Sequence, residues 1–95
     1  MAISRSLVVS LAGDLDYFNV EAVRKALAPI HGKAVIDLTR AHLLGAAVMT
    51  ELVRVAKRSR PEQIVLVVPS PNMREVLRIV ELDRLFRIVE SLDDA

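Results

Sequence analysis

Apolar residues along the chain keep two rhythms. Short, nearly continuous runs alternate with longer stretches in which apolar side chains return every three or four positions. The runs "LVVSLA" (7–12), "AVIDL" (34–38) and "IVLVV" (64–68) are rich in β-branched residues and read as strands. The near-continuous apolarity of 34–38 predicts a strand buried on both faces. Gly13-Asp14 reads as a turn after the first strand.

Between the runs lie helical patterns. Asn19 is the expected N-cap of a helix over "VEAVRKALAPI", with Val20, Val23, Leu27 and Ile30 on one face. Glu21 and Lys25 fall one turn apart on the outer face, and His31-Gly32 marks the end. A second helix is predicted from about Ala46 to Ser59. Val48, Leu52, Val55 and Ala56, flanked by Met49 and Val53, oppose Thr50, Arg54, Lys57 and Arg58. Pro61 breaks the chain before the third strand. Pro71 is placed to open a third helix carrying Met73, Val76, Leu77 and Val80. "LFRIV" (85–89) reads as a last strand, followed by an acidic tail, "ESLDDA", expected to fray. Strand–helix alternation of this kind predicts an α/β protein with mostly parallel strands and right-handed crossovers, its helices packed against one sheet.

Length and composition narrow the function. Ninety-five residues suit one domain, and 53% hydrophobic content suffices for a core. The absence of cysteine removes disulfides, thiolate metal sites and thiol catalysis. A net charge of +1 supplies no bulk attraction to nucleic acid, and 3% aromatic content leaves few rings for stacking on bases. The longest apolar run, "IVLVV", is far shorter than the ~20 residues that span a bilayer. The expectation is a cytoplasmic domain without a transmembrane segment.

Three segments, in order, are similar to one known family. "LVVSLAGDLD" followed by a helix resembles the opening of STAS domains, the anti-sigma factor antagonist (anti-anti-sigma) fold. "VIDLTRAHLLGAAVMTELVRVAKR" resembles that family's central strand, loop and helix, and "IVLVVPSPNMREVLRIVELDRLFRIVES" its closing part. The resemblance covers roughly residues 6 to 90. It implies one STAS-like domain over 1–95, with a single sheet of about four to five strands. Relative to the family both ends look short: little precedes residue 7 beyond "AISRS", and only six residues follow Val89, where a further helix is usual. Such an edge offers pairing to a second copy, so a homodimer is among the expectations.

The resemblance also locates a departure. Switchable members carry Asp-Ser-Ser-Gly at the start of the second helix. Aligned on "VIDL", those positions are Gly45, Ala46, Ala47 and Val48 here. The phosphorylated serine corresponds to Ala47, whose methyl group has no hydroxyl to accept phosphate. The implied protein is a non-phosphorylatable, non-enzymatic interaction module without a cofactor. Its expected partner is a kinase-like anti-sigma factor, contacted through Asp14, Asp16, Asn19, Leu44, Ala47, Met49, Thr50 and Arg54. Two alternatives stay open: the STAS subunit of a phospholipid-type ABC transporter seated on its ATPase, and a small-ligand or nucleotide sensor.

Small side chains at 45–47 leave the helix-start amides accessible. They suit a packed partner, a bound anion or close helix–sheet packing alike. The remaining chemistry is sparse. Thr50 reads as a helix-surface residue and Thr39 as a local turn former. Asp14 and Asp16 are explained by turn formation and helix initiation. His31 and His42 have no carboxylate at metal-ligand spacing, and no nucleophile–base pair or Gly-rich phosphate loop is visible. Arg54, Lys57, Arg58 and Arg60 form a basic strip that is either a solvated helix face or a surface for an acidic partner.

Overall fold

The computed structural model describes residues 7–59 and 64–95. The expectations placed on "AISRS", Arg60 and Pro61 lie outside the described residues. Four strands, β1 (Leu7–Ser10), β3 (Ala34–Asp37), β5 (Ile64–Val67) and β6 (Arg87–Val89), form one sheet in the order β1-β3-β5-β6, every pair parallel. Helices α1 (Val20–Leu27), α2 (Ala46–Arg58) and α3 (Pro71–Ile79) make the crossovers. Each crossover steps the same way along the sheet, so right-handed connections put all three helices on one face.

The apolar pattern explains this layering. Register aligns Val9, Ile36, Leu66 and Ile88 in one row across the sheet. Ile36 and Leu66 are fully buried in the same cluster as Val23 and Leu27 of α1, Val48, Leu52, Val55 and Ala56 of α2, and Leu77 of α3. Val35 and Val67 point the other way and are also buried, whereas Val8 and Arg87 in the row of Val35 are exposed, so the second face is shielded only over the central strands. The core is aliphatic apart from Phe86.

A second element of the fold has no counterpart in the expected single sheet. β2 (Gly13–Leu15) and β4 (Ala41–Leu44) form a separate parallel pair. Gly13-Asp14 is therefore the start of a strand rather than a turn, and Gly13 takes φ +84, a left-handed conformation that glycine adopts freely. "LVVSLA" correspondingly divides: β1 stops at Ser10, and Leu11 turns inward to the core.

Several boundaries also move. α1 closes at Leu27, ahead of Pro29, because proline has no amide hydrogen to continue the ladder. Its first turn is preceded by a 3-10 turn, Tyr17–Asn19, and Asp16 caps that turn by accepting from the Phe18 amide at 3.0 Å. Asn19 makes no capping bond to α1. Glu21 pairs with Arg24 instead of Lys25. Ser70 caps α3 through the Met73 amide at 3.2 Å, with Pro71 in the first turn as expected. The last strand begins at Arg87, since Leu82–Arg84 form a 3-10 turn and the Phe86 amide bonds back to the Leu82 carbonyl. The acidic end is ordered into another 3-10 turn, Leu92–Asp94, whose Asp94 carbonyl accepts from Arg87.

α3 ends on an unusual residue. Glu81 has φ 63 and ψ 23, the left-handed conformation normally given to glycine after a helix. A side chain there costs about 1–2 kcal/mol, of which glycine's greater unfolded freedom returns about 0.4–1. Glu81→Gly is therefore expected to stabilise the fold by about 0.5–1 kcal/mol and to raise Tm by a few degrees. A melting curve at or below that of the parent would contradict the assignment.

Candidate functional site

The start of α2 lies against the end of β2, and both are held by backbone. The Gly45 amide donates to the Leu15 carbonyl at 2.7 Å. A Cβ on Gly45 would lie 3.2 Å from that carbonyl oxygen and 3.3 Å from Asp16 Cα. Gly45 has φ −81 and ψ 165, which any residue adopts, so space rather than conformational freedom calls for glycine here. No side chain caps α2. Of the four positions aligned with the phosphorylation motif, Gly45 and Ala47 are half-buried and Ala46 is exposed, while Val48 is sealed in the core. Val48 thus holds the helix on the sheet and presents nothing to solvent.

The 3-10 turn at 17–19 packs beside this helix start. Asn19 donates through Nδ2 to the Asp14 carbonyl and, at 3.3 Å, to Asp16 Oδ1. Asp14 is exposed and lies 3.7 Å from His42 Nδ1 across the β2–β4 pair. Asp14, Asp16, Asn19 and Ala47 therefore gather at one end of the molecule. Leu44 and Met49 join them only in part, since both pack against the core cluster. Thr50 is exposed but its hydroxyl is occupied, donating to the Ala46 carbonyl at 3.1 Å. Thr39 makes the local turn expected of it, its amide and hydroxyl both donating to Asp37 Oδ1.

Two exposed aromatic residues complete the surface. Tyr17 and Phe18 are 74% and 90% exposed, their rings edge-to-face with centroids 5.9 Å apart. The sequence reading passed over them because no periodicity marks a three-residue turn. A usable signal was present: the chain has only one Tyr, two Phe and no Trp, and two of these three rings stand side by side in a connector. Leu43 adds a further exposed apolar side chain on β4. Beyond it, a hollow of about 340 Å³ runs between β4 and the start of α3, floored by Leu43, Leu44, Met73 and Val76.

Two residues of the basic strip, Arg54 and Arg58, are engaged by the protein itself. Arg58 donates through Nε to the Ile30 carbonyl at 2.9 Å and through Nη2 to the Leu27 carbonyl, closing the C-terminal end of α1. Arg54 lies 3.1 Å from Glu51. Glu51, one turn beyond Ala47, has a side chain only 6% exposed and accepts from Arg24 Nε on α1 at 2.9 Å. The Arg24 hydrogen bond holds the Glu51 carboxyl below the ordinary carboxylate range against the opposing effect of burial, with smaller contributions from Arg54 and Arg58. This cluster fixes α2 to α1 directly beneath the site. Among the described residues no group of three or more His, Cys, Asp or Glu is arranged to hold a metal ion.

The topology, a parallel sheet with a small β2–β4 pair delivering the α2 start, is matched by known proteins. A family model described as the STAS domain matches residues 2–95. The chain is a STAS domain. No curated protein matches it by sequence. Among solved structures, a candidate anti-sigma factor antagonist from Thermotoga maritima is 20% identical, with TM-score 0.74 over 92% of this chain and 82% of that one. The anti-sigma factor antagonist SpoIIAA in its unphosphorylated form is 19% identical, with TM-score 0.63 over 99% of this chain and 88% of that one. The phosphorylated form of the same Bacillus cell fate determinant is 17% identical, with TM-score 0.63 over 99% and 91%. These likenesses establish the STAS fold. Among the described residues no helix is long and apolar enough to cross a membrane.

Because the Glu51 carboxyl titrates lower in the folded protein than in the unfolded chain, its contribution is complete above the ordinary carboxylate pKa and is lost as pH falls below it. Glu51→Gln is expected to destabilise the domain by about 1–3 kcal/mol at neutral pH. The gap between variant and parent should close in urea titrations repeated at progressively acid pH. A gap that stays constant would exclude the ionised pair as its source.

Proposed function

We propose that this STAS domain is a non-enzymatic protein-interaction module of the anti-sigma-antagonist kind. Its partner is a kinase-like anti-sigma factor, met by the 14–19 turn and the 44–50 junction. Binding at this junction runs without a serine-phosphorylation switch. The observation that carries this reading is Ala47 itself: only half-buried at the open start of α2, beside the exposed turn, with a methyl group where the resemblance places a phosphate acceptor in switchable members. The solved structures of similar fold support the partner class, two of them being of an anti-sigma factor antagonist recorded both with and without its phosphate.

The surface is suited to recognition that is always available. Small side chains at 45–47 let a partner approach the helix start closely, while Asp16 and Asn19 border it with side chains already fixed by hydrogen bonds and Asp14 with an exposed carboxylate. Control then resides in the amount of this protein or in the state of the partner. Arg54 flanks the site from the next turn of α2 and remains exposed despite its ion pair.

The test is direct binding by calorimetry to the ATP-binding anti-sigma-type kinases encoded in the source genome, each purified, with the ABC-type ATPase subunits as a parallel arm. A kinase is expected to bind, and Ala47→Asp is expected to weaken it at least about tenfold, or about 1.4 kcal/mol. Unchanged affinity on this substitution would move the interface elsewhere. Binding confined to an ATPase subunit would replace the regulatory reading with the transporter one.

A further inference from the structure

We infer that Tyr17 and Phe18 form the anchor by which this domain holds its protein partner, and that the anchor enters an apolar pocket with a basic rim. The inference rests on the partner-binding reading above and assigns its energetic centre to residues outside the set expected from sequence.

Three features of the turn carry it. First, the two rings are the most and second most exposed large apolar side chains among the described residues, whereas Phe86, the third aromatic, is buried. Aromatic side chains dominate interface hot spots because they bury much area while immobilising few torsions. Second, the turn is organised before anything binds. Asp16 accepts from the Phe18 amide, Asn19 bridges Asp16 and the Asp14 carbonyl, and the Asn19 amide donates to the Asp16 carbonyl at 3.0 Å. The Gly45 contact then pins Leu15 and Asp16 to the start of α2. A turn fixed in this way loses little freedom on docking.

Third, charge selects the kind of receiver. Asp14 precedes the rings with an exposed carboxylate and Asp16 with a half-buried one, while Glu21 beyond them is paired with Arg24. Among the cations on this side of the molecule, His42 lies beside Asp14, and Arg24 and Arg54 are bound to Glu21 and Glu51. The border of the anchor is therefore acidic. It repels an anionic membrane surface and a nucleic-acid backbone, and it complements lysine and arginine around a protein pocket. The turn packs beside the start of α2, where Ala46 is exposed and Ala47 half-buried, which extends the contact to the junction.

Phe18→Ala and Tyr17→Ala test the inference in the full chain, with binding to the same purified kinases and ATPase subunits measured by calorimetry and stopped flow. Because both rings are exposed, Tm should stay within about one to two degrees of the parent. Affinity for the member that binds the parent should fall at least about 30-fold for Phe18→Ala. Association should also slow as salt rises. Losses under threefold for both variants, with Tm unchanged, would overturn the anchor while leaving the partner reading in place. Failure of the parent to bind any member of the panel would overturn the partner reading and the anchor together. Should Phe18→Ala lower Tm, Tyr17→Ala decides by the same criteria. If the ring substitutions instead abolish sedimentation with phosphatidylglycerol vesicles, or a dimer seen in gel filtration, the receiver is lipid or a second copy and the basic-rimmed partner pocket is wrong.

Discussion

The approach of the α2 start to the end of β2 is the contact on which the geometry of the candidate site depends. It joins one backbone to another: the Gly45 amide meets the Leu15 carbonyl, so closely that a Cβ on Gly45 would crowd that oxygen and Asp16. Through it the β2–β4 pair, the 17–19 turn and the first turn of α2 become one unit. A side chain at position 45 would press on the Leu15 carbonyl and Asp16, so glycine there lets the two segments meet at this spacing.

Charge supports this unit from below. Glu51 is buried and sits between Arg24 of α1 and Arg54 of its own helix, and Arg58 reaches the carbonyls that α1 leaves open at its end. A buried carboxylate holds its charge only when its partners are well placed, so this cluster also fixes the angle between α1 and α2. Arginine suits the role because its planar group donates in several directions at once.

The main sheet and the three helices were legible in the sequence because each buries a face long enough to impose a rhythm. Val48, Leu52, Val55 and Ala56 repeat often enough to declare a helix, and "IVLVV" can hardly be other than a covered strand. The β2–β4 pair was not legible: "GDL" and "AHLL" are too short to carry a period, and each is a strand only because the other lies beside it. Asp16 rather than Asn19 became the capping residue because a 3-10 turn was interposed, a difference of three residues that no apolar pattern records. Arg54 and Arg58 were rightly placed on the polar side of α2, but their partners belong to tertiary structure. At the site, the junction residues were found through resemblance, whereas Tyr17 and Phe18 stood outside every pattern used to search for core or chemistry.

The placement of the single tyrosine has an optical consequence. With no tryptophan in the chain and Tyr17 on an exposed turn, the strongest near-ultraviolet chromophore is already in water when the protein is folded. Its emission will hardly register the melting of an aliphatic interior. It will instead respond when another molecule covers the ring, which makes the domain a built-in reporter of its own encounters.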